Sequence, residues 1–160
     1  MPNDIIDDII KREGGDKETN SPNDKGGRTK YGIAEASNPK AWEDGIVTRD
    51  EARGIFEHKY IKTPGFDKIT NEAVRNQLID WGVNSGPGVA IKALQSLVGA
   101  TSDGILGPDT LAKANAVEAL WLNNQLVASR VKMIGRIVRK NPSQLEWLNG
   151  WLNRALEFIR

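Results

Sequence analysis

The sequence has 160 residues, enough for one domain with a buried core. Its 22 Lys and Arg residues nearly balance its 21 Asp and Glu residues, so net charge favours neither a nucleic acid nor an anionic membrane as partner. There is no cysteine and one histidine, His58, which excludes disulfides, thiolate nucleophiles and most multi-histidine metal sites. We predict no metal, no cofactor, no nucleic acid partner and no stable membrane association.

The chain begins MPNDIIDDII, which alternates acidic residues with isoleucines. This stretch lacks the basic start and apolar run of a secretory signal, so we expect synthesis in the cytoplasm. It predicts a first helix that Asn3 caps and that has Lys11 and Arg12 at its end, where the helix dipole favours basic residues. Gly14 and Gly15 are expected to end this helix.

A polar segment, KREGGDKETNSPNDKGGRTKYGI, covers residues 11–33 and interrupts the helical pattern. Its glycine pairs and the alternation of Thr29, Tyr31 and Ile33 predict a small, irregular β-hairpin. No other part of the sequence carries a comparable strand signal. We therefore predict a mainly α fold with one small hairpin near the N-terminus.

Helical spacing of apolar side chains returns after this segment. Capping residues, prolines at first helical positions and terminal glycines mark the ends of the predicted helices. The first of these helices follows a capping box at Thr48 and Glu51, and the second covers 70–85. A third extends from Pro87 to Gly99, and a short fourth begins at Pro108. The last two cover 117–140 and 142–159. No repeat and no linker rich in Pro, Gly or Ser divides the chain, which predicts a single domain.

Glu13 has an unusual position, at the carboxyl end of the first helix. Unsatisfied carbonyls and the negative end of the helix dipole disfavour a second negative charge there. Shielding by the apolar helix face would disfavour the charged form further. A carboxyl group that keeps its proton is what a glycosidase general acid requires, although an ordinary surface charge remains the alternative.

Glycoside hydrolysis also needs a second polar group. Asp24 follows Glu13 by eleven residues, and a hairpin that turns back would bring it across a cleft. Thr29 is a candidate for holding the attacking water with its hydroxyl group. Both residues are also common in turns, so a purely structural role stays open at this point.

Residues 13–35, EGGDKETNSPNDKGGRTKYGIAE, resemble the signature of glycoside hydrolase family 108, in which Glu-Gly-Gly is followed by a polar loop and Thr-x-Tyr-Gly-Ile. The segments LIDWGVNSGPGVAIKALQSLVG, SDGILGPDT and LNGWLNRA resemble, in the same order, the predicted peptidoglycan-binding part that accompanies this family. The similarity covers nearly the whole chain. One departure is Asp16, which stands where the family often has an aromatic residue.

This resemblance implies a lysozyme-like fold and an N-acetylmuramidase that cleaves the β-1,4 bond from N-acetylmuramic acid to N-acetylglucosamine in bacterial peptidoglycan. Carried over to this sequence, the acid is Glu13, and the loop supplies Asp24, Thr29 and the aromatic Tyr31. Residues 1–86 would bear the catalytic motifs, and residues 87–160 would form the helical peptidoglycan-binding part of the same body. Many members are phage endolysins, so we expect a monomer that is made in the host cytoplasm and released through a holin.

Other candidates have two interpretations each. Tyr31 would stack on a sugar or pack the hairpin, and Asn84 and Ser85 would bind N-acetyl groups or only end the central helix. Asp80 is either a paired buried acid or part of the site, and His58 is expected on the surface at a helix end. Core positions are predicted for Trp81, Trp121, Trp147 and Trp151.

Two alternative functions remain open. A lytic transglycosylase would use the same acid and an intramolecular attack on the same bond. A non-catalytic wall-binding protein would use the SDGILGPDT loop instead.

Overall fold

The computed structural model describes residues 4–21 and 25–160, so the predicted cap Asn3 lies outside the described residues. Over these ranges the chain is mainly α with one two-stranded antiparallel sheet, as the sequence predicts. It divides into two compact units, Met1–Thr63 and Pro64–Arg160. The prediction of one domain with parts divided at residue 86 stays a prediction. None of the helices in the described ranges is long and apolar enough to cross a membrane.

The first unit contains two α-helices and the hairpin. Its elements are α1 (Ile5–Arg12), β1 (Thr29–Lys30), β2 (Ile33–Ala34), a 3-10 helix (Pro39–Trp42), α2 (Arg49–Glu57) and a π-helix (His58–Lys62). The predicted capping box of α2 is confirmed, because the Thr48 side chain accepts from the Glu51 N–H and the Glu51 side chain accepts from the Thr48 N–H.

Helix α1 packs against α2 through buried isoleucines and is also held by ion pairs. Asp4 caps α1, since its Oδ1 accepts from the Ile6 N–H at 3.1 Å. Arg53 of α2 binds both Asp4 and Asp7, and Arg49 lies 2.9 Å from the same Asp7 carboxylate. These pairs fix the direction of the helix that ends at the candidate acid.

The second unit is helical throughout its regular structure. Its elements are a 3-10 helix (Phe66–Lys68), α3 (Glu72–Ser85), α4 (Pro87–Val98), α5 (Pro108–Ala116), α6 (Ala119–Lys140), a 3-10 helix (Pro142–Trp147) and α7 (Leu148–Leu156). Helix α3 is the central one, as predicted, because it packs against both α4 and α6. The predicted bounds of α4 are confirmed, with Pro87 at its first position and Gly99 as its left-handed cap.

Asp80 is a paired buried acid, the first of its two predicted interpretations. Its carboxylate is fully buried and receives hydrogen bonds from Arg154 Nε and Nη2 at 2.9 to 3.2 Å. Arg130, which is 1% exposed, places its Nη2 2.8 Å from Asp80 Oδ2. The guanidinium of Arg130 also lies 5.9 Å from the ring centroids of Trp81 and Phe158. One carboxylate thus joins α3, α6 and α7.

The end of the chain differs from the prediction of a single helix over 142–159. A 3-10 helix, which has three residues per turn, precedes α7 and changes the direction of successive side chains. Trp147 therefore lies outside the core, with 55% of its surface exposed, and Trp121 in the first turn of α6 is 46% exposed. Core positions predicted for these two residues are wrong, whereas that of Trp81 is confirmed at 1% exposure, and Trp151 is half-buried.

We expect Asp80→Asn to lower the free energy of unfolding by about 3 to 5 kcal/mol, because it leaves buried guanidinium charge without its carboxylate. The matched control is Asp109→Asn, which breaks the exposed ion pair to Lys113 and should cost less than about 0.5 kcal/mol. Urea denaturation followed by circular dichroism measures both. Equal losses in the two variants would contradict the role assigned to the Asp80 cluster.

Candidate active site

Glu13 is the C-cap of α1, at the helix end where the sequence predicts it. Its N–H donates to the Ile9 carbonyl at 2.9 Å, and the Gly15 N–H donates to the Ile10 carbonyl at 3.0 Å. Gly14 and Gly15 have φ values of +107° and +60°, which residues other than glycine rarely adopt. The glycine pair therefore turns the chain away directly after the carboxylate.

The hairpin binds to this turn through its own tight turn. Thr29 pairs with Ala34, and Lys30 pairs with Ile33, so Tyr31 and Gly32 form a two-residue loop. Both loop residues have positive φ, +52° for Tyr31 and +77° for Gly32, which matches the right-handed twist of the strands. The Tyr31 N–H donates to the Gly15 carbonyl at 2.9 Å. Tyr31, predicted from strand alternation, is thus a turn residue.

Gly32 lies against Glu13 with no space for a side chain. A Cβ atom at residue 32 would lie 2.8 Å from Glu13 Cβ and 3.1 Å from Phe56 Cζ. Real Cβ atoms essentially never come that close to another carbon, so only glycine fits here. The Glu-Gly-Gly and Tyr-Gly-Ile motifs therefore belong to one packed assembly, with the stem of the candidate acid at its centre.

Glu13 itself is exposed. The apolar face of α1 does not shield it from water: Ile6, Ile9 and Ile10 are buried, and α1 packs against α2. Its position at the end of α1 is the feature on which sequence and structure agree. An exposed carboxyl is also one that a polymeric substrate can reach.

An arginine that the sequence analysis missed holds the base of the hairpin. Arg28 donates from Nε and Nη2 to the two Glu35 carboxylate oxygens at 3.2 and 3.3 Å, and from Nη1 to the Gly45 carbonyl at 3.2 Å. Its guanidinium lies 4.6 Å from the Trp42 ring centroid, and the buried Trp42 indole donates to the Ile33 carbonyl. The hydrogen bonds from Arg28 lower the pKa of Glu35.

Thr29 is fixed through its backbone. Its N–H and carbonyl both bond to Thr19, at 2.8 and 2.9 Å. Asp24 lies outside the described residues. The catalytic roles of Asp24 and Thr29 stay predictions.

Tyr31 lines a polar cavity of about 460 Å³ in the first unit. The other lining residues come mainly from α1 and its C-terminal turn: Asp7, Asp8, Ile10, Lys11, Gly15, Asp16 and Arg49. Tyr31 is half-buried, and Lys30 Nζ lies 5.3 Å from its ring centroid. Its side chain therefore reaches this cavity, and the choice between contact with a sugar and packing of the hairpin stays a prediction.

Two further candidates lie in the last turn of α3. Asn84 is exposed and Ser85 is half-buried. Their proposed contacts with N-acetyl groups stay predictions. His58 is an exposed residue at the end of α2, as predicted.

The SDGILGPDT loop is organised around a buried glutamine of α4. Gln95 donates to Asp103 Oδ1 at 2.7 Å and to the Ile105 carbonyl at 3.0 Å, and it accepts from the Gly104 N–H at 2.9 Å. Its hydrogen bond is the main cause of the lowered pKa of Asp103. The acidic and glycine residues of this motif thus hold the loop together, and Ile105 is left 68% exposed.

A carboxyl at a helix end, fixed by a hairpin in a mainly α chain, is the arrangement expected of a lysozyme-like glycoside hydrolase. Residues 6–86 match the family described as Glycosyl hydrolase 108, and residues 89–156 match the family described as Predicted Peptidoglycan domain. The chain therefore belongs to glycoside hydrolase family 108, and it is a peptidoglycan hydrolase.

The comparison of structures agrees with this assignment. The structure of SagA from Brucella abortus is similar over 96% of this chain and 92% of that chain, with a TM-score of 0.66 and 27% sequence identity. None of the curated proteins matches the chain. The predicted lysozyme-like, mainly α fold is confirmed.

We expect Gly32→Ala to reduce kcat on peptidoglycan by about 10- to 100-fold, because the new methyl group displaces Glu13. Gly27→Ala is the matched control: its φ is also positive, at +68°, but its Cβ would meet only the Glu35 side chain, with Oε2 at 3.5 Å and Cβ at 3.8 Å. Both variants carry backbone strain of about 1 to 2 kcal/mol. If Gly27→Ala lost as much turnover as Gly32→Ala, strain alone would explain the result and the assigned contact would be irrelevant.

The Arg28 and Glu35 pair predicts a pH dependence of hairpin stability. Because the folded-state pKa of Glu35 is lowered, the pair stabilises the hairpin above the unfolded-state pKa, and this stabilisation is lost as pH falls through the folded-state value. Hydrogen exchange of the Glu35 amide, which donates to the Arg28 carbonyl, should be faster in Glu35→Gln than in the wild type at neutral pH. The two rates should converge in acid.

The control for this measurement is Glu43→Gln, which changes an exposed carboxylate on the same unit. It should exchange like the wild type at every pH. A constant rate ratio between Glu35→Gln and the wild type across the titration would contradict the prediction.

Proposed function

We propose that this protein is an N-acetylmuramidase that cleaves the β-1,4 bond between N-acetylmuramic acid and N-acetylglucosamine, with Glu13 as the general acid. The contact of Gly32 with Glu13 supports this proposal most strongly, because it fixes an accessible carboxyl at a helix end. Family membership supplies the substrate class. The polar cavity that begins at Gly15 and Tyr31 offers space for a sugar beside the same turn.

In the proposed mechanism, protonated Glu13 donates its proton to the glycosidic oxygen while the bond from that oxygen to the anomeric carbon breaks. Positive charge develops at the anomeric carbon and ring oxygen, and water attacks the opposite face. Ionised Asp24 accepts the proton of this water, and the Thr29 hydroxyl orients it. A separation of about 6.5 to 9.5 Å between the two carboxyl groups would leave room for the water and give inversion.

Substrate binding is assigned to three residues of the predicted catalytic part, residues 1–86. Tyr31 contacts a sugar in the polar cavity, and Asn84 and Ser85 donate to or accept from N-acetyl groups. We also propose that the protein acts as a monomer, is made in the cytoplasm, and reaches the wall after release. A phage endolysin released through a holin would act in this way.

Glu13→Gln should lower kcat on purified peptidoglycan by at least about 100-fold, because an amide cannot donate the proton. The variant should still bind sedimented cell walls, since the change removes no bulk. Mass analysis of the wild-type products should find new reducing N-acetylmuramic acid ends. Unchanged lysis by Glu13→Gln would refute the assigned acid.

The same digest tests the competing reaction. Products with 1,6-anhydro ends would identify a lytic transglycosylase in place of a hydrolase. Asp24→Asn should lose hydrolysis to a similar extent as Glu13→Gln. Near-normal turnover of Asp24→Asn would remove Asp24 from the mechanism and leave Thr29 as the residue that holds the water.

A further inference from the structure

A second, larger cavity lies elsewhere on the first unit and has no part in the mechanism. It measures about 900 Å³ and is lined by the 3-10 helix at Pro39, Lys40 and Ala41 and by one face of α2 and the start of the π-helix, including Gly54, Ile55 and Lys59. Neither Glu13 nor Tyr31 lines it. A cavity of this size accommodates a ligand of a few amino-acid residues.

One lining residue of the cavity, Gly54, is a glycine whose backbone conformation does not require glycine. Gly54 lies inside α2, and a Cβ added there would meet no atom within 4 Å. Glycine in a helix interior is destabilising relative to alanine, so packing and conformation give no reason for its presence. Its missing side chain keeps the floor of the cavity free.

The end of the cavity is shaped by an uncommon helical turn. The π-helix His58–Lys62 directly continues α2 and brings His58 and Lys59 to the cavity. π-helical turns are rare in proteins, and those that do occur are often found at functional sites. The glycine and the π-helix are thus two separate departures from a regular helix at the same cavity.

The cavity has positively charged side chains at its rim and apolar side chains at its floor. Lys40 and Lys59 are exposed, and neither forms an ion pair with a described residue. Lys59 Nζ lies 5.2 Å from the Tyr60 ring centroid. The carboxylate in the lining, Glu51, already accepts from the Thr48 N–H and hydroxyl at 2.8 Å. Two available ammonium groups therefore border a floor made by Pro39, Ala41 and Ile55.

We propose that this cavity binds the acidic peptide stem of peptidoglycan. Lys40 and Lys59 contact the carboxylates of the stem, and the apolar floor contacts its alanine methyl groups. The glycan strand itself offers neutral N-acetyl sugars, so an apolar floor with a cationic rim complements the peptide better than the glycan. The inference depends on the proposed function only in taking peptidoglycan as the substrate.

The test is a titration of isotope-labelled Glu13→Gln protein with a synthetic L-Ala-γ-D-Glu-meso-diaminopimelate tripeptide, followed by NMR. We expect shift changes at the amides of Gly54, Ile55 and Lys59. Gly54→Leu should weaken binding by at least about tenfold, because the side chain fills the floor of the cavity. Gly135→Leu in α6 is the control, since that helical glycine also has open space around it and should bind the peptide normally.

The contribution of the two lysine charges to peptide binding is tested separately from that of the space at Gly54. Replacing both Lys40 and Lys59 with alanine should weaken binding by about three- to tenfold, and amidation of the peptide carboxylates should have a similar effect. Gly54→Ala provides a smaller change that should also raise the Tm, since alanine favours the helix. A Tm measured for each cavity variant and equal to or above that of the wild type would show that the variant remains folded.

The outcomes separate this inference from the proposed function. Shift changes confined to other residues, or equal affinity in Gly54→Leu and Gly135→Leu, would overturn the peptide site. Equal affinity for an N-acetylglucosamine oligosaccharide, which carries no carboxylate, would overturn it as well. Because binding is measured without catalysis, failure of the wild type to cleave the muramic bond would refute the N-acetylmuramidase proposal and leave this result unaffected.

Discussion

The contact between Gly32 and Glu13 is the constraint on which the site depends. A carbon atom added to residue 32 would lie 2.8 Å from Glu13 Cβ, so the hairpin turn can reach the helix end only without a side chain. The hydrogen bond from the Tyr31 N–H to the Gly15 carbonyl sets the direction of the approach. Both sides of this contact depend on residues with positive φ. Gly14 and Gly15 turn the chain at the helix end, and Tyr31 and Gly32 form the hairpin turn.

Helix ends were predictable because their causes are local. The capping box at Thr48 and Glu51 and the bounds of α4, from Pro87 to Gly99, depend on residues within one turn of each other. The same holds for Glu13 at the end of α1. The 3-10 helix before α7 was not predicted. Prolines and glycines indicate where a helix starts, but they do not specify how many residues it has per turn.

Features of the site that depend on distant residues could not be read from local patterns. Arg28 binds Glu35, Gly45 and Trp42, which are 7 to 17 residues away, and no spacing rule joins them. Local patterns left the exposure of Glu13 open for the same reason, since it depends on how α1, with its buried isoleucines, packs against α2. The family resemblance identified the motif residues, whereas the packing of Gly32 explains why these residue types are needed.

The exposure of Glu13 alters how a general acid must work in the proposed mechanism. In a site already closed to water, burial by the protein would keep the carboxyl protonated before substrate arrives. Here Glu13 is exposed, and its stem lies against Gly32 with no space for a side chain between them. Under the proposed mechanism a bound glycan displaces water from the carboxyl, so water is excluded from the acid only when substrate binds. The main contribution of the chain is then to hold the Glu13 carboxyl in position, and the bound substrate excludes water from the place where the proton is transferred.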